Sequence, residues 1–128
     1  IRRNSALQVH NSVFTGWPYG LFLDKANSAA AVKNVVFAGM WKEAKDDASA
    51  SYFLTAGLGN SSFASTNDVI KTNGLYSSVD AAKVAGASFT DAAISDSFFT
   101  KVNYKGAFDG TNDWTAGWAN WDPQNTDY

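Results

Sequence analysis

The sequence predicts an all-β fold: the terminal coils of a right-handed parallel β-solenoid (β-helix), closed by an irregular, Trp-rich C-terminal cap. Three observations predict it. Residues 9–17 (VHNSVFTGW) and 32–40 (VKNVVFAGM) lie 23 residues apart and are identical at five of nine positions. The 128-residue chain is 45% hydrophobic and 15% aromatic but only 17% charged, with small polar residues filling the gap, a composition of secreted β-rich proteins. Three of its five tryptophans, Trp114, Trp118 and Trp121, crowd one short stretch of the tail.

Each repeat block opens with alternating apolar and polar residues and is rich in β-branched and aromatic side chains, so both read as strands. A strand and turn path that returns to its own pattern after about 20–29 residues is what one solenoid coil requires. Stacked coils set Val9 over Val32, Asn11 over Asn34, Phe14 over Phe37 and Gly16 over Gly39. The two asparagines are expected to form an amide hydrogen-bond ladder. The rival reading is two strands of a sandwich that share a common β vocabulary.

Along the chain, Trp17-Pro18-Tyr19-Gly20 reads as a turn, because Pro presets φ and Gly accepts positive φ. Leu21-Phe22-Leu23 reads as a short buried strand and residues 24–30 as a second turn. Residues 41–50 (WKEAKDDASA) break the β pattern. Trp41, Ala44 and Ala48 fall at helical spacing, predicting a short helix on a solvated excursion from the coil. A charged patch for a partner is the alternative. Residues 1–60 are thus solenoid coils with a charged excursion at 41–50. Residues 61–86, rich in Ser, Asn and Ala, are expected to be irregular. Phe89, Ile94, Phe99 and Tyr104 are spaced by five, each preceded at two residues by Ala87, Ala92, Ser97 or Val102. That spacing resembles the pentapeptide-repeat pattern, in which four units make one turn of a square coil. A coil that closes the solenoid is the simpler reading, so 61–108 is an irregular segment plus a closing coil.

Residues 109–128 form the cap. Trp114, Trp118 and Trp121 share one face of a short helix at i, i+4 and i+7. Asp113 or Asn112 is its expected N-cap and Pro123 its stop. The last coil of a solenoid exposes apolar core and strand edge. Three indoles, each able to bury about 150–250 Å², therefore read first as a lid and second as an exposed platform for stacking on sugar rings. Burial of the indoles separates the two. Asp109, Asn112 and Asp113 invite a calcium reading, but the closing Glu of an EF-hand loop is missing and ordinary turn roles are favoured.

Zero cysteine and a single histidine, His10, exclude disulfides, thiolate chemistry and His-cluster metal sites. No phosphate loop, nucleophile elbow or metal-ligand pair is present, and no cofactor is expected. A net charge of −2 supplies no basic face for nucleic acid. No apolar run approaches the ~20 residues of a membrane-spanning helix. Polysaccharide lyases and glycosidases built on β-helices array carboxylates and basic residues along an outer face. Here the repeated outer positions read His10/Lys33 and Ser12/Val35, which is not such an array.

The chain resembles the C-terminal part of a family of secreted or cell-surface β-helix-like proteins of Bacteroidota-type bacteria. The resemblance rests on Arg2-Arg3-Asn4, Asn11-Ser12-Val13-Phe14, Gly16-Trp17-Pro18-Tyr19-Gly20-Leu21, Tyr52-Phe53-Leu54-Thr55 and Ser95-Asp96-Ser97-Phe98-Phe99. It is strongest at Tyr104-Lys105-Gly106-Ala107-Phe108, Asp113-Trp114-Thr115-Ala116-Gly117-Trp118 and Asp122-Pro123-Gln124-Asn125, and vague across 61–86. It implies export, a β-helix upstream and a natural end at Tyr128. It supplies no catalytic residue, because members of that family mostly lack an assigned activity. The expected function is an extracellular structural, adhesive or ligand-binding segment without catalysis of its own. Its expected partners are the upstream part of the same polypeptide or a larger surface assembly, and glycans. The alternative is the end of a carbohydrate-active β-helix enzyme, lyase or glycosidase, with its active face upstream.

Overall fold

The computed structural model describes residues 1–73 and 76–127. The chain is mostly β, with small parallel sheets of two and three strands stacked like the rungs of a solenoid, and few helices. The first rung holds β1 (Gln8–His10), β2 (Val13–Thr15) and β3 (Tyr19–Leu21); the second holds β4 (Ala31–Lys33), β5 (Val36–Ala38) and β6 (Lys42–Ala44). Each strand pairs in parallel with its counterpart: Val9 with Val32, Phe14 with Phe37, Tyr19 with Lys42. The register is the 23-residue offset of the repeat throughout.

The identical positions of the repeat are the corners and columns of this stack. Asn11 and Asn34 turn the corner between the first two strands of their rungs in the left-handed region, at φ 47° and 54°. Asn enters that region more readily than most residues because its short side chain can bond locally. Gly16 and Gly39 turn the next corner at φ 74° and 64°, where glycine has no Cβ penalty. Phe14 and Phe37 meet edge to face inside the stack, their ring centres 6.0 Å apart. The expected Asn ladder does not form. Instead, the Asn11 side chain donates to Ser88 O at 2.8 Å and accepts from Ser88 N at 3.0 Å. A left-handed corner turns the amide away from the rung below and toward the segment packed outside it.

Two local readings shift. Tyr19 and Gly20 belong to β3 rather than to a turn, and the strand ends at Leu21. Gly20 is required there for space, because a Cβ would lie 2.4 Å from the Phe37 ring. In the charged segment, Lys42–Ala44 is β6, and the helix α1 (Asp47–Phe53) starts later, capped by the Asp46 side chain on Ser49 N at 2.8 Å. Parallel pairing with β3 overrides the helical spacing of Trp41, Ala44 and Ala48.

Helix α1 closes the stack from below. Phe53 lies flat under Phe37, with ring centres 4.8 Å apart and planes 7° from parallel, so one aromatic column runs Phe14, Phe37, Phe53. The Tyr52 hydroxyl accepts from Val32 N at 3.0 Å, and buried Ser49 Oγ accepts from Leu23 N at 2.9 Å. Asn60 then accepts from Val35 N and donates to Val32 O, both at 3.0 Å. Tyr52 and Asn60 thus meet backbone groups that a further strand would have paired, and Ser49 meets one that a longer β6 would have paired.

Residues 61–86, expected to be irregular, are largely regular. β7 (Ser61–Phe63) adds a third parallel strand beside β5, at an offset of 25 because α1 intervenes. An antiparallel hairpin of β8 (Ile70–Asn73) and β9 (Tyr76–Val79) follows, then the short helix α2 (Ala81–Val84). β5 is buried on both faces. Val35 and Phe37 face the rung interior with Leu21, Val32, Ala44 and Phe53, whereas Val36 and Ala38 face a second core with Val69 and Val84. Val35, assigned to an outer position from the repeat, is therefore an interior residue.

Residues 87–106 contain no strand among the described residues; the expected closing coil is instead a strap along the corners. Ser88 meets Asn11, Asp91 pairs with Lys33 at 2.5 Å, and Lys105 Nζ donates to Gly59 O at 3.0 Å. Gly106 N reaches Asn11 O at 2.7 Å. The five-residue spacing survives as two successive turns, in which Asp91 caps Ala93 and Asp96 caps Phe98.

Candidate binding site in the aromatic tail

No helix carries the tail tryptophans. Residues 114–118 form turns, with Gly117 at φ 87°, and Pro123 opens a short 3-10 turn (Pro123–Asn125) rather than ending a helix. Asp113 accepts from Thr115 N at 2.9 Å and also from the Thr115 hydroxyl, so it caps a turn. Trp114, Trp118 and Trp121 remain 56%, 68% and 48% exposed. They do not seal the stack, because α1 already does.

Their rings are nevertheless held. Trp114 Nε1 donates to Ala107 O at 2.8 Å, Trp118 Nε1 to Trp114 O at 3.0 Å, and Trp121 Nε1 to Thr115 Oγ1 at 3.3 Å. Phe108 stacks on Trp114 with centres 5.7 Å apart, and Trp114 meets Trp118 at 5.4 Å. Each indole N–H is satisfied by the chain while much of each ring stays in solvent. Binding on such rings loses little side-chain freedom.

Beside this ladder runs a groove of about 360 Å³. One wall is the hairpin, with Ile70, Ser77, Ser78 and Val79; the other is the 108–113 loop and Trp121. Phe108 belongs to both groove and ladder. The hairpin wall is not legible in the periodicity of 61–86; a glycine at 74 between two β-prone runs is its one sequence signal.

The acidic loop is self-contained. Asp109 accepts from Thr111 N, Asn112 N and Asn112 Nδ2, each at 2.7 Å, and these bonds hold its carboxyl below the usual carboxylate range. Among the described residues no three His, Cys, Asp or Glu side chains gather as a metal would need.

His10 is half-buried on β1, its Nε2 3.0 Å from Gln8 Oε1 and its Nδ1 buried without a partner. Burial lowers its pKa; Lys33 adds to that and Asp91 opposes it. The Lys33–Asp91 pair beside it favours both charged forms, raising the lysine and lowering the carboxylate. The Lys33–Asp91 pair ties the strap to the second rung.

The first rung is the other unfilled surface. β1, β2 and β3 each have a strand partner on one side only among the described residues. Phe14, Leu7, Trp17 and Tyr19 are exposed there, around a hollow of about 140 Å³ lined by Ile1, Val9 and Phe22 among others. No protein-family model, curated protein or solved structure matches the chain. Among the described residues no helix is long and apolar enough to cross a membrane.

Proposed function

We propose that the chain forms the closing coils of a right-handed parallel β-solenoid in a secreted or outer-surface protein, serving there as a structural and adhesive element without catalysis of its own. The observation that carries this reading is the asymmetry of the stack. Below, Phe53 covers Phe37, and Tyr52 and Asn60 meet the second-rung backbone with side chains. Above, the aromatic column ends in a 40%-exposed Phe14 with no residue stacked over it, and β1, β2 and β3 are edge strands, as β6 and β7 are below. Right-handed crossover is the rule for parallel strands, and a stack of this kind needs about three coils for stability. Further coils of the same polypeptide are the partner that continues the register.

The outer face of β2, β5 and β7 supports a non-catalytic role. An enzyme of the polysaccharide-cleaving type would place acidic side chains there, whereas Val13, Val36 and Ala38 pack under residues 69–104.

The test is a fusion. Arg2 bridges in parallel to Asp24, so a copy of residues 8–22 placed ahead of Ile1 restores a full rung in register. The expected result is a Tm at least about 4 °C higher, the shift that ~1 kcal/mol produces in a domain of this size, and slowed amide exchange in β1. An unchanged or lower Tm overturns the reading. Export is checked by adding protease to intact producing cells, which should digest the chain.

A further inference from the structure

We infer that the hairpin groove and the Phe108–Trp114–Trp118 ladder form a binding site for an uncharged oligosaccharide. Three observations carry it, none of which depends on how the solenoid end is completed. First, the indoles are exposed yet fixed through their N–H groups, and with Phe108 and Trp118 packed on Trp114, the outer surfaces of Trp118 and Trp121 are left to meet a ligand. An aromatic face matches the C–H face of a sugar ring, and a prepaid ring orientation favours binding.

Second, the groove at about 360 Å³ lies at the lower end of the ~300–1,000 Å³ range of small-molecule sites. Its surface is mostly apolar, with Ser77, Ser78 and Thr111 among the lining residues beside Phe108 and Trp121, so it suits the apolar faces of sugar rings with a few hydroxyl partners. Because Phe108 lines the groove and also stacks on Trp114, a chain of sugar residues seated there continues onto the ladder.

Third, charge selects the ligand class. From Gly106 to Asp127 the sequence carries Asp109, Asp113, Asp122 and Asp127 and no Lys or Arg. The neighbouring Lys105 is buried and donates to Gly59 O. The tail wall is negative, and on the hairpin side Lys71 pairs with Asp80 at 3.7 Å while Lys83 sits over the Phe63 ring. A negative wall disfavours uronic-acid, sulfated and phosphorylated chains, which favours neutral hexose or pentose chains.

The test uses the full chain in native gels and by tryptophan fluorescence, with cellohexaose, xylohexaose, mannohexaose and hexagalacturonate as probes at low and physiological salt. Binding of at least one neutral hexamer with no binding of hexagalacturonate is expected. Trp118→Ala and Trp121→Ala should weaken that binding at least tenfold, with Trp118→Phe retaining most of it. The variants should keep the parent's Tm to within a few degrees, since Trp118 is 68% and Trp121 48% exposed. No binding of any neutral hexamer overturns the proposal, and so does equal binding of hexagalacturonate or binding indifferent to both tryptophan changes. A fusion that fails to stabilise the first rung counts against the closing-coil reading alone.

Discussion

Phe37 and Phe53 stack face to face at 4.8 Å, although one ring comes from a strand and the other from a helix. The helix thereby completes a column that strands began, and beyond it only β7 continues the parallel stack. Phe37 and Phe53 are buried and Phe14 is 40% exposed. Phe37→Ala and Phe53→Ala should each cost about 3–5 kcal/mol, against roughly 1–2 kcal/mol for Phe14→Ala. Urea unfolding of the three variants checks the order. A double variant at 37 and 53 should show coupling, because the rings touch.

The helix also seals backbone, and this part is separable from the aromatic stacking. Tyr52→Phe keeps the ring and leaves Val32 N without its acceptor; Ser49→Ala does the same to Leu23 N. Each should cost about 1–3 kcal/mol, the penalty of an unmet buried donor. Amide exchange at Val32 and Leu23 should accelerate in the matching variant and not in the other.

Corner glycines at equivalent positions differ in their surroundings. A Cβ at Gly39 would lie 2.4 Å from Thr66 Oγ1 and 2.8 Å from Thr66 N, whereas one at Gly16 meets nothing within 4 Å. Both sit at positive φ. Gly16→Ala should therefore carry only the left-handed penalty of about 1–2 kcal/mol. Gly39→Ala should lose more, since the β5 corner must also move away from residue 66. Thermal melts of the two variants side by side measure the difference.

Acid should destabilise the fold in two stages. His10 has its pKa lowered chiefly by burial, so the unfolded chain takes up the proton first, near pH 6.5. Its contribution is complete above that value and is lost as pH falls below it. Asp91, held low mainly by its bond from Lys33, contributes above about pH 4 and loses that contribution as pH falls through its lower folded value. Urea midpoints measured from pH 8 to pH 3 should decline in both windows. His10→Gln should flatten the upper decline alone, and Asp91→Asn the lower.

What the sequence revealed of the fold lay in the repeat. Val9, Phe14 and Gly16 recur at 32, 37 and 39 because column and corner positions are set rung by rung, and a stacked fold repeats its demands. The spacing shows Asn11 and Asn34 to be equivalent but not that they turn left-handed corners, because sequence spacing does not reveal backbone handedness. Helix α1 was misjudged because Asp46, Asp47 and Lys45 mark it as solvated, while Phe53 and Ser49 on its other side do the sealing. The hairpin was hidden by weak periodicity across 61–86. For the candidate site, the sequence picked out Trp114, Trp118 and Trp121 and weighed burial against exposure. Only the fold shows that α1 occupies the place where those rings were expected to lie.

The central claim is a parallel stack with a 23-residue register, and a cysteine-free chain allows it to be tested by cross-linking. Adjacent strands lie about 4.7–4.9 Å apart, inside the Cα range a disulfide spans. Tyr19 and Lys42 are registered partners and both are exposed. Tyr19→Cys/Lys42→Cys should close a disulfide under mild oxidation, visible as a thiol count of zero and faster gel migration. Tyr19→Cys/Glu43→Cys is one residue off and turns the two side chains to opposite faces, so it should stay reduced. Failure of the registered pair to close, or equal closure of both pairs, contradicts the account.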